Sequence, residues 1–337
     1  MRDFIGAHEK DIRRSLEAFR AGEPVYPIQM ELFPTEVCNH GCSWCVSAHY
    51  RGAKNVMDWD YLQSFLRSAA AHGLREIHIC GGGEPLVYRH IEDLLRLAAD
   101  LGLGVLLYTN GSRRERGLID AIASCAFEVR VSFDAGTAEM YSRVRSVPLP
   151  VFDHVQGFIS DLVARRGPDG PRVVMSFVGD AQNAHTVPDY LRVALGLGVD
   201  EALLKTNLFD PDDVRQARLD HMVRLAKETL GTWPHPRVRA YDAPLDRFGP
   251  TDDMWALAPL KAVVHTTWDI YPCCHSGGQA RYSFGNVLRD GFEQTMGVNR
   301  LPLLRQLVDG SVERCVKCVD SRPNRRAIEL LTSYQMN

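Results

Sequence analysis

Of the nine cysteines in 337 residues, Cys38, Cys42 and Cys45 share one short loop, and Cys273, Cys274, Cys315 and Cys318 crowd the tail. Cys80 and Cys125 stand apart. Thiols gathered this way in a long chain point to soft-metal ligation rather than a disulfide scaffold. Three thiolates from one glycine-containing loop can converge on a single soft centre. A structural zinc site wants four ligands and is closed. His40 is the only candidate for a fourth, and its place inside the loop turns it away. Three ligands leave one corner of a 4Fe–4S cube open, where a small chelating molecule can bind. Further on stands Gly81-Gly82-Gly83-Glu84-Pro85. Glycines there let backbone groups approach a ligand, and the carboxylate can take an ammonium group.

These loops need elements to hold them. Apolar runs at Ile28–Phe33, 76–80, 104–109, 128–133, 172–178 and 202–206 predict strands. Amphipathic stretches at 59–71, 90–101, 115–124, 152–165, 187–197 and 213–230 predict the helices between them. Strand–helix alternation of this kind implies a parallel sheet with right-handed crossovers, active at the carboxyl ends of its strands. Periodicity leaves open whether the sheet closes. The pattern changes at Trp233-Pro234-His235-Pro236, which places an N-terminal helix at 1–24, a core at 25–235 and a tail domain at 236–337.

With 45% hydrophobic and 24% charged residues, the composition is that of a globular chain. The charged, amphipathic start is neither a signal peptide nor a membrane span, so the expected location is cytoplasmic. A net charge of −3 with scattered basic residues is a poor footprint for nucleic acid.

The spacing CxxxCxxC after a first strand resembles the radical S-adenosylmethionine superfamily. The resemblance continues in order along residues 25–235: Trp44 before the third cysteine, Gly82-Gly83-Glu84-Pro85, Thr109-Asn110-Gly111, Ser132-Phe133-Asp134, then Arg145 and Asn183. It implies a partial (β/α)6 TIM-type barrel, with Cys38, Cys42 and Cys45 on a 4Fe–4S cluster. Trp44 would lie near the adenine of S-adenosylmethionine, and Gly82, Gly83 and Glu84 at its methionyl end. Asn110, Ser132, Asp134, Arg145 and Asn183 would supply further polar contacts. It also implies reductive cleavage to a 5′-deoxyadenosyl radical, fed by an external electron donor such as flavodoxin or ferredoxin.

The tail resembles the auxiliary-cluster extension called SPASM, or its short form, the twitch. Pro272-Cys273, Phe284-Gly285-Asn286 and Cys315-Val316-Lys317-Cys318 carry that likeness. The cysteine expected near Trp255 to Leu260 is missing. Cys273, Cys315 and Cys318 remain as auxiliary ligands, with Cys274, Asp290, His265 or His275 open as a fourth. Zinc is the competing occupant, since CxxC with Cys and His suits it equally well. Cys80 is a candidate hydrogen-atom donor against a core role, and Lys205 a candidate substrate contact against a snorkelling lysine.

Three functions follow as expectations. The leading one is hydrogen abstraction from a small polar molecule (a sugar, aminocyclitol or nucleoside-type intermediate), ending in dehydrogenation or epimerisation. The alternatives are a maturase acting on a ribosomal peptide, and a non-catalytic iron–sulfur or zinc protein.

Overall fold

The computed structural model describes residues 3–48, 53–208, 210–240, 255–312, 324 and 326–330. Strands β1 (Gln29–Leu32), β2 (Glu76–Ile79), β3 (Gly104–Thr109), β4 (Ala126–Ser132), β5 (Arg172–Gly179), β6 (Glu201–Thr206) and β7 (Val238–Ala240) run parallel, each beside the next. Strand β8 (Lys261–Val264) pairs parallel with the other edge of β1, and β9 (Asp269–Tyr271) and β10 (Gly285–Asn286) extend that side antiparallel. The sheet is a partial barrel that does not close; β7 and β10 are its edges.

Two short helices, α1 (Phe4–Ala7) and α2 (Glu9–Ala21), precede β1. The crossovers carry α3 (Trp59–Ala71), α4 (Ile91–Asp100), α5 (Arg116–Cys125), α6 (Ala138–Arg145), α7 (Val151–Arg165), α8 (Val187–Gly196) and α9 (Asp212–Leu230). Helix α6 is absent from the sequence expectation, because its short Ala138–Arg145 run carries only one apolar turn. Strand β7 is absent too: three residues are too few to show a period.

The sheet has two unlike faces. Ile77, Leu107, Val129, Met175 and Leu204 occupy alternate positions, are fully buried and pack on the helices. Each such side chain contributes about 1.5–3 kcal/mol. Parallel sheets covered on both faces read as unbroken apolar runs. Here many of the intervening positions carry charged or polar side chains, among them Glu31, Glu128, Arg130, Ser132, Glu201 and Lys205, so the inner face is a largely polar lumen.

That charge is arranged in pairs, across neighbouring strands or along one strand. Arg172 reaches Glu201 at 2.5 Å and Glu128 at 3.3 Å, while Arg239 reaches Glu201 at 2.6 Å. Arg130 lies 2.5 Å from Glu128 and donates to the Tyr108 hydroxyl at 3.0 Å. Lys261 on β8 faces Glu31 on β1 at 3.6 Å. At the amino-terminal end His8 and Gln29 bond to Glu76 at 2.9 and 3.2 Å, so the start of the chain closes this end of the lumen.

The sheet runs on past the boundary expected at Pro236, with β8 on β1 itself. Arg300, fully buried, fastens this join: it donates to the carbonyls of Lys261 at 2.9 Å and Ala258 at 3.0 Å, and lies over the Phe284 ring. Burial alone pulls its pKa down to about 9. No described helix is long and apolar enough to cross a membrane.

Candidate active site

The loops after β1 to β5 meet at the carboxyl ends of the strands. The cysteine loop leaves β1 beside the glycine turn that follows β2. Gly83 donates to the Thr35 carbonyl at 2.8 Å, and Glu84 to that of Val37 at 2.9 Å. A Cβ on Gly83 would stand 2.1 Å from the Val37 oxygen, which is why only glycine fits there. The glycines expected to cradle a cosubstrate thus also press the two loops together.

Glu84 is 3% exposed and firmly held. Its Oε1 accepts from the Leu86 amide at 3.0 Å and the Thr109 hydroxyl at 2.5 Å; Oε2 accepts from the Asn110 amide at 2.7 Å. A carboxylate has about four lone-pair sites, so roughly one remains for an incoming ammonium. Burial raises its pKa against the pull of those donors.

Cys38 is exposed, whereas Cys42 and Cys45 are half-buried, and none is in a disulfide. Burial pushes the thiols of Cys38 and Cys42 up. The Cys38 thiol feels Cys42 and Cys45 as charges, which places the three in one electrostatic neighbourhood. Among the described residues no three His, Cys, Asp or Glu side chains are drawn around one metal ion. Asn110 positions the loop: its amide donates to Asn39 Oδ1 at 2.9 Å. Trp44 lies half-buried against the core between two of the cysteines.

Arg145 ends α6 and is 5% exposed. One guanidinium nitrogen reaches Cys42 Sγ at 3.4 Å and another Asp134 Oδ2 at 2.6 Å. Its Nε is buried without a partner, as are the Tyr141 hydroxyl and His40 Nδ1. The His40 and Tyr141 rings meet edge-on with centroids 6.3 Å apart. Burial, then Arg145, pushes His40 down to about 3, so it is neutral. An orphaned buried polar group costs about 1–3 kcal/mol. Three of them beside a three-thiol loop fit a small polar cosubstrate carrying a carboxylate.

Asp134 and Asn183 serve the scaffold. Asp134 Oδ1 accepts from the Val178 amide at 2.7 Å. Asn183 is fully buried; its amide donates to the carbonyls of Asp134 at 2.8 Å and Val178 at 2.9 Å, and Oδ1 accepts from the Asp180 amide at 2.8 Å. No donor is left on it for a cosubstrate, so its role is to hold the β5 turn. Ser132 ends β4 in register with Ser176 on the inner face.

Cys80 follows β2, and its thiol donates to the His78 carbonyl at 3.5 Å. Burial, then Glu31, raises its pKa well above the usual value, so it keeps its proton. Cys274 feels Glu31 and Lys261 too, with its contact to Cys273 the larger cause of its raised pKa. Both thiols therefore lie within electrostatic reach of the Glu31–Lys261 pair. Cys273 is buried and its sulfur accepts from the His275 amide at 3.4 Å. Asp290 engages Arg289 at 2.8 Å, and His265 stacks on Phe33 with centroids 4.7 Å apart. Cys315 and Cys318 lie outside the described residues. Glu31, Tyr108, Arg130 and Lys261 are lumen residues missing from the sequence reading. Their signal was a polar or charged residue recurring on alternate positions of β1 and β4.

Residues 32–194 match the model of the Radical SAM superfamily, so the chain contains a radical SAM domain. It therefore takes a 4Fe–4S cluster and S-adenosylmethionine. It is 26% identical over 178 residues to the tungsten-containing aldehyde ferredoxin oxidoreductase cofactor-modifying protein of Pyrococcus furiosus, over 52% of this chain and 49% of that one. It is 25% identical over 181 residues to the PqqA peptide cyclase of Xanthomonas campestris pv. campestris, over 52% of this chain and 45% of that one. The chain thus spans about half the length of these two relatives. Against the mycofactocin maturase MftC of Mycobacterium ulcerans the likeness is 26% over 332 residues, 91% of this chain and 84% of that one. The crystal structure of Streptococcus suis SuiB bound to the precursor peptide SuiA shares the fold, with a TM-score of 0.68 at 15% identity over 95% of this chain and 76% of that one.

One expectation is corrected by these relatives. The leading expectation from the sequence is a small polar substrate. The relatives include a peptide cyclase and a maturase, and they favour the peptide alternative.

Proposed function

We propose that this chain modifies a peptide by abstracting a hydrogen atom from one of its residues. The observation that carries the reading is the likeness to a maturase over 91% of the chain, which runs past the superfamily domain into the cysteine-bearing tail.

When bound, the cluster and S-adenosylmethionine supply a 5′-deoxyadenosyl radical, after one electron from a donor such as flavodoxin or ferredoxin. Cys38, Cys42 and Cys45 hold the cluster. Arg145 offers its unpartnered Nε to the cosubstrate carboxylate, and Glu84 its remaining lone pair to the ammonium. Trp44 supplies an apolar wall for the adenine. The lumen below holds the substrate residue, walled by Ser132, Tyr108 and Lys205. Cys80 faces it as a protonated thiol able to return a hydrogen atom. Cys273, with Cys315 and Cys318, is the ligand set of an auxiliary cluster in the tail.

The test uses anaerobically reconstituted protein with S-adenosylmethionine, dithionite and defined peptide pools. Release of 5′-deoxyadenosine with a peptide mass change of one or two hydrogens supports the reading. Deoxyadenosine release with every peptide left unaltered overturns it.

A further inference from the structure

The charged side chains of the lumen are paired with one exception among the described residues, and it stands at the open end. Each carboxylate of the lower layers is matched: Glu76 by His8, Glu128 by Arg130, Glu201 by Arg172 and Arg239, and Glu31 by Lys261. Lys205 has no such match among the described residues. It is the penultimate residue of β6, in register with Val178, on the same face as Glu201. The carboxylate that attracts it is Asp134, already held by Arg145 at 2.6 Å. Its side chain is only partly covered, and it stands at the open, carboxyl end of β6. Burial, then Arg130, lowers its pKa to about 8, as expected of a cation lacking a partner.

An uncompensated cation in a polar lumen is costly to keep unless a ligand completes it. We propose that Lys205 anchors a carboxylate of the substrate, so that the modified residue lies beside an Asp, a Glu or the free C-terminus of the peptide. This rests on the peptide reading above for the carrier of the carboxylate, though not for the anchor itself. Lysine suits the task as a point charge on a long stem that can follow the group into place.

The experiment measures equilibrium binding to the reconstituted holoenzyme with S-adenosylmethionine present, by polarisation of dye-labelled pentapeptide pools. The pools are amidated and carry a central Glu, Asp, Gln or Lys; a further Gln pool has a free C-terminus. N-acetylglutamate amide serves as a small competitor. The Glu or Asp pools, or the free-acid Gln pool, should bind about ten- to a hundredfold more tightly than amidated Gln. Which of them does so identifies the source of the carboxylate. Lys205→Met should erase the preference, Lys205→Arg keep it, and Lys205→Glu turn it toward the Lys pool. The arginine variant shows that a lost preference is not a lost fold. A wild-type protein without acid preference, or a preference unchanged in Lys205→Met, overturns the proposal. If no pool binds but the competitor does so through Lys205, the anchor stands and the peptide reading fails. If nothing binds, both fail.

Discussion

Arg145 lies 2.6 Å from Asp134, and the two side chains are 6% and 5% exposed. The pair spans from the end of α6 to the turn after β4, and Arg145 continues to Cys42 Sγ at 3.4 Å. One buried guanidinium thus joins the barrel rim to the cysteine loop. Asp134 adopts a positive φ of 46°, which Asp tolerates. The loop amide of Gly41 also donates to the Arg145 carbonyl at 2.8 Å. The barrel rim and the cysteine loop therefore share one fastening point.

Arg145→Lys keeps a positive charge beside Asp134 but removes the unpartnered Nε. Affinity for S-adenosylmethionine should fall about tenfold, the lower end expected for one charge-assisted hydrogen bond, while iron content stays near wild type. Isothermal titration of the reconstituted protein checks it. An unchanged affinity would place the carboxylate elsewhere.

Replacing Cys38, Cys42 or Cys45 by Ala should abolish 5′-deoxyadenosine formation. In the triple variant, iron analysis reads the tail separately: about four irons per chain would belong to an auxiliary cluster. Zinc or an empty tail would remove the auxiliary cluster from the reading, and retained turnover would remove the first.

Glu84→Gln should injure the fold as well as the cosubstrate site. A glutamine amide would turn a donor toward one of the donors of Leu86, Thr109 and Asn110 that now converge on the carboxylate. The expected loss is about 1–3 kcal/mol in urea unfolding, beyond any loss of affinity. A variant as stable as wild type would show that the three donors find other partners.

Glu76 provides a pH signature. Burial would raise its pKa, but hydrogen bonds from His78, His8 and Gln29 outweigh it and hold the group at about 2. A carboxylate depressed in the folded state contributes stability that is present above its unfolded pKa and lost as pH falls through the folded one. Wild type should therefore lose about 2–3 kcal/mol between pH 4.5 and 2 that Glu76→Gln does not lose. Parallel urea midpoints across that window would disprove the assignment.

The sequence by itself determined the order of the elements and the place of the chemistry. The expected helix 59–71 coincides with α3 (Trp59–Ala71), and the six expected core strands fall on β1 to β6 within a residue or two. These were legible because apolar periodicity and glycine turns are local properties of the chain. CxxxCxxC and GGGEP were legible for the same reason, since ligand spacing within one loop is written along the backbone.

Only the tertiary structure decided how the charged strand positions are used. Arg172 and Glu201 are 29 residues apart, and Thr266 and Glu36 are 230 apart, yet each pair is hydrogen-bonded. No periodicity announces such partners, because register between strands is set by packing of the opposite, apolar face. The same holds for Asn183, a candidate ligand contact by position and a backbone staple by its three bonds. It holds for Lys205 as well. Its residue type and strand end were visible in the chain, but an unpaired ammonium exists only once every neighbouring charge has found its place.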